Sequence, residues 1–165
     1  MFDPTAFDNI KFMIQAEVYD RDLDDLLHIH SRSDKVDLAS LGREAAITFS
    51  LKEKPQLRVT LIIQADLEKL AGELMKLPGA FPGVSLHIVY TGPEHVLTDG
   101  CMNRLENGWG AARRYERKKI ASNQMETVHE WHIYFERTIT EDMIEELGDL
   151  VGFIVETLET APNSE

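Results

Sequence analysis

Apolar and polar positions alternate with a period that changes along the chain, and each change marks an element. Over residues 10–19, IKFMIQAEVY, apolar side chains fall at every second position. The spacing predicts a strand with Ile10, Phe12, Ile14, Ala16 and Val18 on one face. The charged run DRDLDD at 20–25 predicts a solvated turn, and LLHIH at 26–30 a short extended piece. Residues 31–43, SRSDKVDLASLGR, show no clear period.

A hairpin is predicted over 44–63. EAAITFSLK puts Ile47, Phe49 and Leu51 on one face, KEKPQ makes the turn, and LRVTLIIQ returns with Leu57, Val59, Leu61 and Ile63 together. ADLEKLAGELMKL changes to a helical period: Asp66 suits the N-cap, and Leu67, Leu70, Ala71 and Leu74 share a face. The breakers PGAFPG end that helix. VSLHIVY at 84–90 predicts another strand. Gly92–Pro93 predicts a helix start, since proline fits a first helical position, and that helix fades by Gly108 and Gly110. A second hairpin runs through RRYERKKIA, a turn at Ser122–Gln124, and METVHEWHIYFE. The last helix starts near Thr138 or Thr140, with Thr138 and Glu141 at capping-box spacing. Met143, Ile144, Leu147, Leu150, Val151, Ile154, Val155 and Leu158 form its apolar stripe.

Hairpin followed by helix occurs twice, which predicts an α+β fold. The expected architecture is a two-layer sandwich: an antiparallel or mixed sheet of about five to seven strands, with helices near 66–77 and 140–160 on one face. Residues 1–160 are expected to form a single domain, and 161–165 a frayed C-terminal tail. The order of strands, central helix, strands and long final helix resembles that of secretion-chaperone-like folds, which are also small and acidic. The resemblance lies in element order, without a shared motif, and it implies a chaperone-like role.

Residues 128–136, VHEWHIYFE, crowd two histidines and two glutamates into nine positions. As a strand, the stretch sends His129, Trp131, Ile133 and Phe135 to one face and Glu130, His132, Tyr134 and Glu136 to the other. The two histidines then face apart and hold no common ion. HEWH is also one residue short of the HExxH zinc-protease spacing. The expectation is Trp131, Ile133 and Phe135 in the core, with Glu130, His132 and Glu136 in water.

Composition narrows the function. At 165 residues with 43% apolar and 28% charged side chains, the chain is ordinary globular material. A formal charge of −12 disfavours nonspecific binding to nucleic acid or anionic lipid. No apolar run approaches the roughly 20 residues of a membrane span. With one cysteine, no signal-like start and no membrane segment, a cytoplasmic location is expected.

Three stretches offer chemistry. His28 and His30, with Asp34 four positions on, resemble the H-x-H-x3-E core of a cupin metal motif, with Asp34 in place of the glutamate and Asp22 where that motif has a glycine. They are the candidate metal ligands. Asp20, Asp22 and Asp24 imitate the first positions of a calcium loop, but Asp25 replaces its glycine and Ser31 its glutamate. The basic segment 113–119 gathers Arg113, Arg114, Tyr115, Arg117, Lys118 and Lys119, a candidate surface for a partner or RNA, or an edge strand guarded by charge. Cys101 has no nucleophile signature around it and is expected as a buried thiol. GxSxG, GxGxxG and paired-cysteine motifs are all absent.

From Thr138 onward the chain carries eight acidic residues and no lysine or arginine. Gly148 and Gly152 make a small-residue row there, suited to close packing on the sheet or a partner helix. Without a coherent catalytic constellation, the leading expectation is a non-enzymatic protein-interaction or chaperone-like module, a homodimer, with no cofactor. The alternatives are a metal-binding protein or metal-dependent enzyme using His28 and His30, and an RNA-associated regulator using residues 113–119. Self-association is expected through a sheet face carrying Met13, Ile62, Val89 and Tyr134.

Overall fold

The computed structural model describes residues 5–76, 78 and 82–161, and the backbone alone of 72–74. Among these, the order is α1 (Ala6–Leu23), β1 (Leu27–Val36), β2 (Arg43–Leu51), β3 (Lys54–Ala65), α2 (Leu67–Leu74), β4 (Ser85–Pro93), α3 (Asp99–Trp109), β5 (Arg114–Ile120), β6 (Val128–Tyr134), a 3-10 turn (Glu141–Met143) and α4 (Ile144–Thr160). The strands form one antiparallel sheet in the order β1-β2-β3-β4-β6-β5. This is the expected two-layer α+β sandwich. Helical side chains join Phe49, Leu61, Ile88 and Ile133 in a single buried cluster on one face of the sheet.

The first element differs from its expectation. Residues 6–23 are a helix, not a strand. Its buried residues are Ala6, Phe7, Ile10, Ile14 and Val18, while Phe12 is 56% exposed. A spacing of four (10, 14, 18) satisfies both period two and the helical period, so the window alone was ambiguous. Phe7 and the Thr5–Asp8 capping box settle it: Thr5 Oγ1 accepts from Asp8 N at 3.2 Å, and Asp8 Oδ2 accepts from Thr5 N at 3.4 Å. Met13 therefore lies on this helix and not on the sheet.

Other boundaries shift for local reasons. The stretch without a clear period holds most of β1, which runs ten residues with a register shift between Ile29 and Ser31. Pro93 ends a strand where a helix start was expected. Gly92 and Pro93 pair with His129 and Val128, and the helix waits for Thr98, whose Oγ1 accepts from Cys101 N at 3.1 Å. Proline on the last rung of a ladder costs little pairing. Thr138 forms no capping box. Its neighbour Ile139 bridges Val84, and the final helix is entered through Thr140 and the 3-10 turn. Leu77 and residues 79–81 of the PGAFPG breakers lie outside the described residues, as does the tail beyond Ala161, which is itself buried.

The glycines of α4 face α1, an element the sequence had not offered as their neighbour. A Cβ on Gly148 would lie 3.0 Å from Glu17 Oε1, and one on Gly152 3.5 Å from Arg21 Nη2. Glu17 and Arg21 pair along α1 at 2.8 Å, so small residues on α4 leave room for that pair between the helices. Across the ends of α1 and the β1–β2 hairpin, Arg43 bonds both Asp8 (2.8 Å) and Asp34 (2.7 Å), while Lys11 also holds Asp34 at 2.8 Å.

Trp131 is fully buried at the centre of β6, parallel to Tyr115 (centroids 5.2 Å apart) and edge-on to Tyr90, and its Nε1 donates to Glu106 Oε1 at 3.2 Å. Trp131→Ala should cost about 3–5 kcal/mol in urea denaturation. Gly152→Ala should stabilise by about 0.5–1 kcal/mol, since its new methyl meets only a flexible guanidinium. Gly83→Ala should destabilise strongly, because its Cβ would enter the Ile139 carbonyl. Tm values in the order Gly152→Ala, parent, then Gly83→Ala and Trp131→Ala check this packing.

Candidate functional site

The ladder register lays out the sheet face opposite the core cluster. One row across the strands reads Arg58, Thr91, Glu130, Lys118, with the His28–Ser50 pair beside it at a register shift of β2; the next reads Ser31, Thr48, Thr60, Val89, His132, Glu116; the third reads Ser33, Ala46, Ile62, His87, Tyr134, Arg114. Its middle is made of small or apolar side chains: Ala46, Thr48, Thr60, Ile62 and Val89. Ile62, Val89 and Tyr134 do lie on this face, as the strand alternation predicted.

A polar chain crosses the face between β4 and β6. His132 Nε2 lies 2.9 Å from Glu130 Oε1, and His132 Nδ1 lies 2.8 Å from His87 Nε2. A carboxylate accepts, so His132 donates from Nε2 and accepts at Nδ1, and His87 donates from Nε2. Tyr134 lies flat on His87 (centroids 4.2 Å apart, 15°), and the Arg114 guanidinium sits 4.1 Å from the Tyr134 centroid. Burial, then the neighbouring His132, Lys118 and Arg114 charges, push the His87 pKa down to about 4. The expectation of a solvent-facing His132 fails. It faces away from the core as predicted but is only 6% exposed, because His87, Tyr134 and Glu130 enclose it. His129, on the opposite face, donates from Nδ1 to Leu97 O at 2.8 Å. The two histidines of VHEWHIYFE thus part as expected. Phe135 lies just past the strand and is partly buried.

The other sequence candidates are placed differently. His28 and His30 are neighbours, with ring centroids 4.7 Å apart. His30 Nε2 donates to the buried Ser50 Oγ at 2.8 Å, and Ser50 in turn donates to Leu51 O. Burial, Arg58 and His28 lower the His30 pKa. Asp34 is not with them: hydrogen bonds from Arg43 and Lys11 hold its carboxylate on the α1 side, with its pKa down to about 2. Asp20 and Asp22 belong to the last turn of α1 and Asp24 is its C-cap, so the calcium-like spacing does not form a loop. Among the described residues, no three His, Cys, Asp or Glu side chains are grouped to hold a metal ion.

Residues 114–120 form the edge strand β5, and alternation splits its charges. Arg117 faces the helices, held by Glu106 (2.9 Å) and Asn103, and lowers the Glu106 pKa. Lys118 pairs with Glu116 on the open face, Lys119 with Glu94, and Arg113 lies over Phe135. Tyr115 donates its hydroxyl to Gly110 O. A cleft of about 490 Å³ beside α3 is lined by Glu94, His95, Asp99, Arg117, Lys119 and His129. Its opposite charges are largely paired with one another. Cys101 is buried, and burial raises its pKa, which leaves the thiol protonated and unreactive.

Sequence reasoning missed His87 as a partner of His132. The signal was the lone polar side chain between Leu86 and Ile88, but its neighbour on the next strand depends on a sheet order that pattern alone does not give. No helix among the described residues is long and apolar enough to cross a membrane. The fold defines an α+β protein with helices packed on one sheet face; among the described residues, α2 reaches the other face through Lys69, which donates to Ser85 Oγ at 2.9 Å. Comparison with protein-family models, curated proteins and solved structures gave no match.

The His87 environment has a consequence for stability. A free imidazole binds a proton near pH 6.5, while folded His87 resists it until about pH 4. Between those values the unfolded chain takes up the extra proton, so stability falls as pH drops through this window. Urea unfolding free energies at pH 7, 6, 5 and 4.5 should show the slope. His87→Gln should flatten it, leaving the smaller part from His30.

Proposed function

We propose that the protein is a non-enzymatic protein-interaction module of chaperone-like type, that its sheet face opposite the core is the docking surface, and that a second copy is its occupant. The observation that carries this is the contrast of charge between the two faces. On the open face the strand residues Lys35, Arg58, Arg114 and Lys118 stand against Glu44, Glu116, Glu130 and, beside Arg114, Glu136, four positive against four negative, while the whole chain carries −12. The surplus negative charge therefore lies elsewhere, much of it along α1 and α4. Two copies approaching by their helical sides repel; approaching by their sheets, they do not. Ala46, Thr48, Thr60, Ile62 and Val89 make the middle of that face low enough for sheet-on-sheet packing at about 10 Å. A two-fold pair is the commonest way to bury such a surface.

The acidic final helix lies on the helical side, away from this surface, so it does not pair with the basic β5 strand across a face-to-face dimer. Apolar and close contacts, not ion pairs, support the association, since exposed pairs contribute only about 0–1 kcal/mol each. The alternative readings have less support. Asp34 is engaged apart from His28 and His30, and the cations of 113–119 are divided between two faces and paired within the chain.

Sedimentation at low micromolar concentration, with chelator present, tests the proposal. A dimer that survives molar salt is the expected result, and Ile62→Asp should convert it to a folded monomer. A monomer in dilute and molar salt alike removes the homodimer. A dimer found only in dilute salt reverses the assigned driving force.

A further inference from the structure

The geometry points to a divalent transition-metal site on the sheet face opposite the core, formed by His87 Nε2 and His132 Nδ1, with Tyr134 Oη beside it and Glu130 as the carboxylate that orients His132. Both imidazoles come from one chain, but they lie beside Ile62 and Val89 on the face that a second copy would cover.

Two ring nitrogens on adjacent strands point at each other across 2.8 Å. The centroid separation of 5.0 Å fits rings meeting edge to edge rather than face to face. Only one proton, on His87 Nε2, keeps them together. When an ion takes Nε2, the His87 proton is exchanged through solvent to Nδ1, the ring stays neutral, and both facing nitrogens are free to donate to one ion. Tetrahedral ligands at zinc–nitrogen distances of about 2.0–2.1 Å sit about 3.3 Å apart, so the pair opens by about half an ångström and both rings turn until their lone pairs converge on the ion. Tyr134 Oη lies 3.5 Å from His132 Nδ1. A cluster of His, Cys, Asp and Glu alone is not required: the set is two imidazoles, a phenol and whatever enters from solvent.

The second feature is the arrangement behind His132. A histidine that binds a metal usually gives its other N–H to a carboxylate, which fixes the tautomer and turns the free nitrogen towards the ion. Glu130 does this at 2.9 Å, and His132 is 6% exposed, so its ring is already held. Imidazole donors suit zinc, copper and nickel rather than calcium or magnesium.

Four charged groups face this point. Glu130 and Glu116 favour a cation, while Arg114 and Lys118 oppose it. Lys118 is drawn to Glu116 at 3.2 Å, and Arg114 lies over Tyr134 with Glu136 at 3.4 Å, so both cations have partners of their own. With two nitrogen donors and partial compensation, the site is an exchangeable one, with affinity in the micromolar range.

Untagged, metal-free protein titrated with Cu2+ and Zn2+ at neutral pH tests this. One Cu2+ per chain is expected, with electron paramagnetic resonance showing hyperfine structure from two imidazole nitrogens, and Zn2+ should compete for the same site. His87→Gln, at a partly exposed position, should remove the two-nitrogen signal while circular dichroism shows the fold retained. Glu130→Gln should weaken binding by about 10–100-fold. A His28→Gln/His30→Gln double variant should bind as the parent does. Absence of binding in the micromolar range, a signal that His87→Gln leaves intact, or one lost only in the His28/His30 variant overturns the proposal. Sedimentation uses chelated protein, and the titration is repeated on Ile62→Asp, so that neither result depends on whether a second copy covers the face.

Discussion

A β-strand sends successive side chains to opposite faces, and registered antiparallel neighbours extend that rule across a sheet. Here it creates two surfaces of different chemistry from the same residues. Along β4, Leu86, Ile88 and Tyr90 go to the helices, while Ser85, His87, Val89 and Thr91 go the other way. The core depends on this phase. A slip of one residue in β6 would put His132 and Glu130 under the helices and expose Trp131 and Ile133. The aromatic group of buried Tyr90 and Trp131 with partly buried Tyr115, tied to α3 through Glu106, fixes the phase at the β4–β6–β5 end. The Arg43 network with Asp8 and Asp34 joins α1 to the hairpin at the other end.

The helical layer then determines where charge goes. α1 and α4 pack against each other through Gly148 and Gly152, beside the Glu17–Arg21 pair. Their solvent-facing sides are strongly acidic. With the negative charge concentrated there, the sheet's second face is left nearly neutral. That face is not a bare polar surface: Ser50, Val89 and His132 are buried within it although no residue of the core cluster lies there. Hydrogen bonds from Glu130 through His132 to His87, and between Thr48 and Thr60, stiffen it before anything binds.

Much of this was legible in the sequence. The two hairpins, the central helix, the apolar stripe of α4 and the separation of His129 from His132 all followed from period and turn chemistry. The failures have physical causes. Residues 10, 14 and 18 fit two periods at once, and the capping box that breaks the tie lay outside the window. Pro93 fits a helix start and a strand end equally well, and sheet pairing chose the second. Exposure of His132 was misjudged because its burial comes from His87, 45 residues away on a strand whose place beside β6 is a matter of topology. For the same reason, His87 was not visible as a site residue.

The central claim is that the sheet's second face is an organised surface that a second copy covers. Nuclear magnetic resonance with a soluble paramagnetic probe tests it most directly, by comparing signal broadening at low micromolar protein for Ile62 and Thr60 with that for Phe12 on α1. The account predicts strong broadening at Phe12, protection of the two sheet residues in the parent protein, and loss of that protection at Thr60 in Ile62→Asp. Broadening of Ile62 in the parent as strong as that of Phe12 would show the face open to solvent and contradict the account.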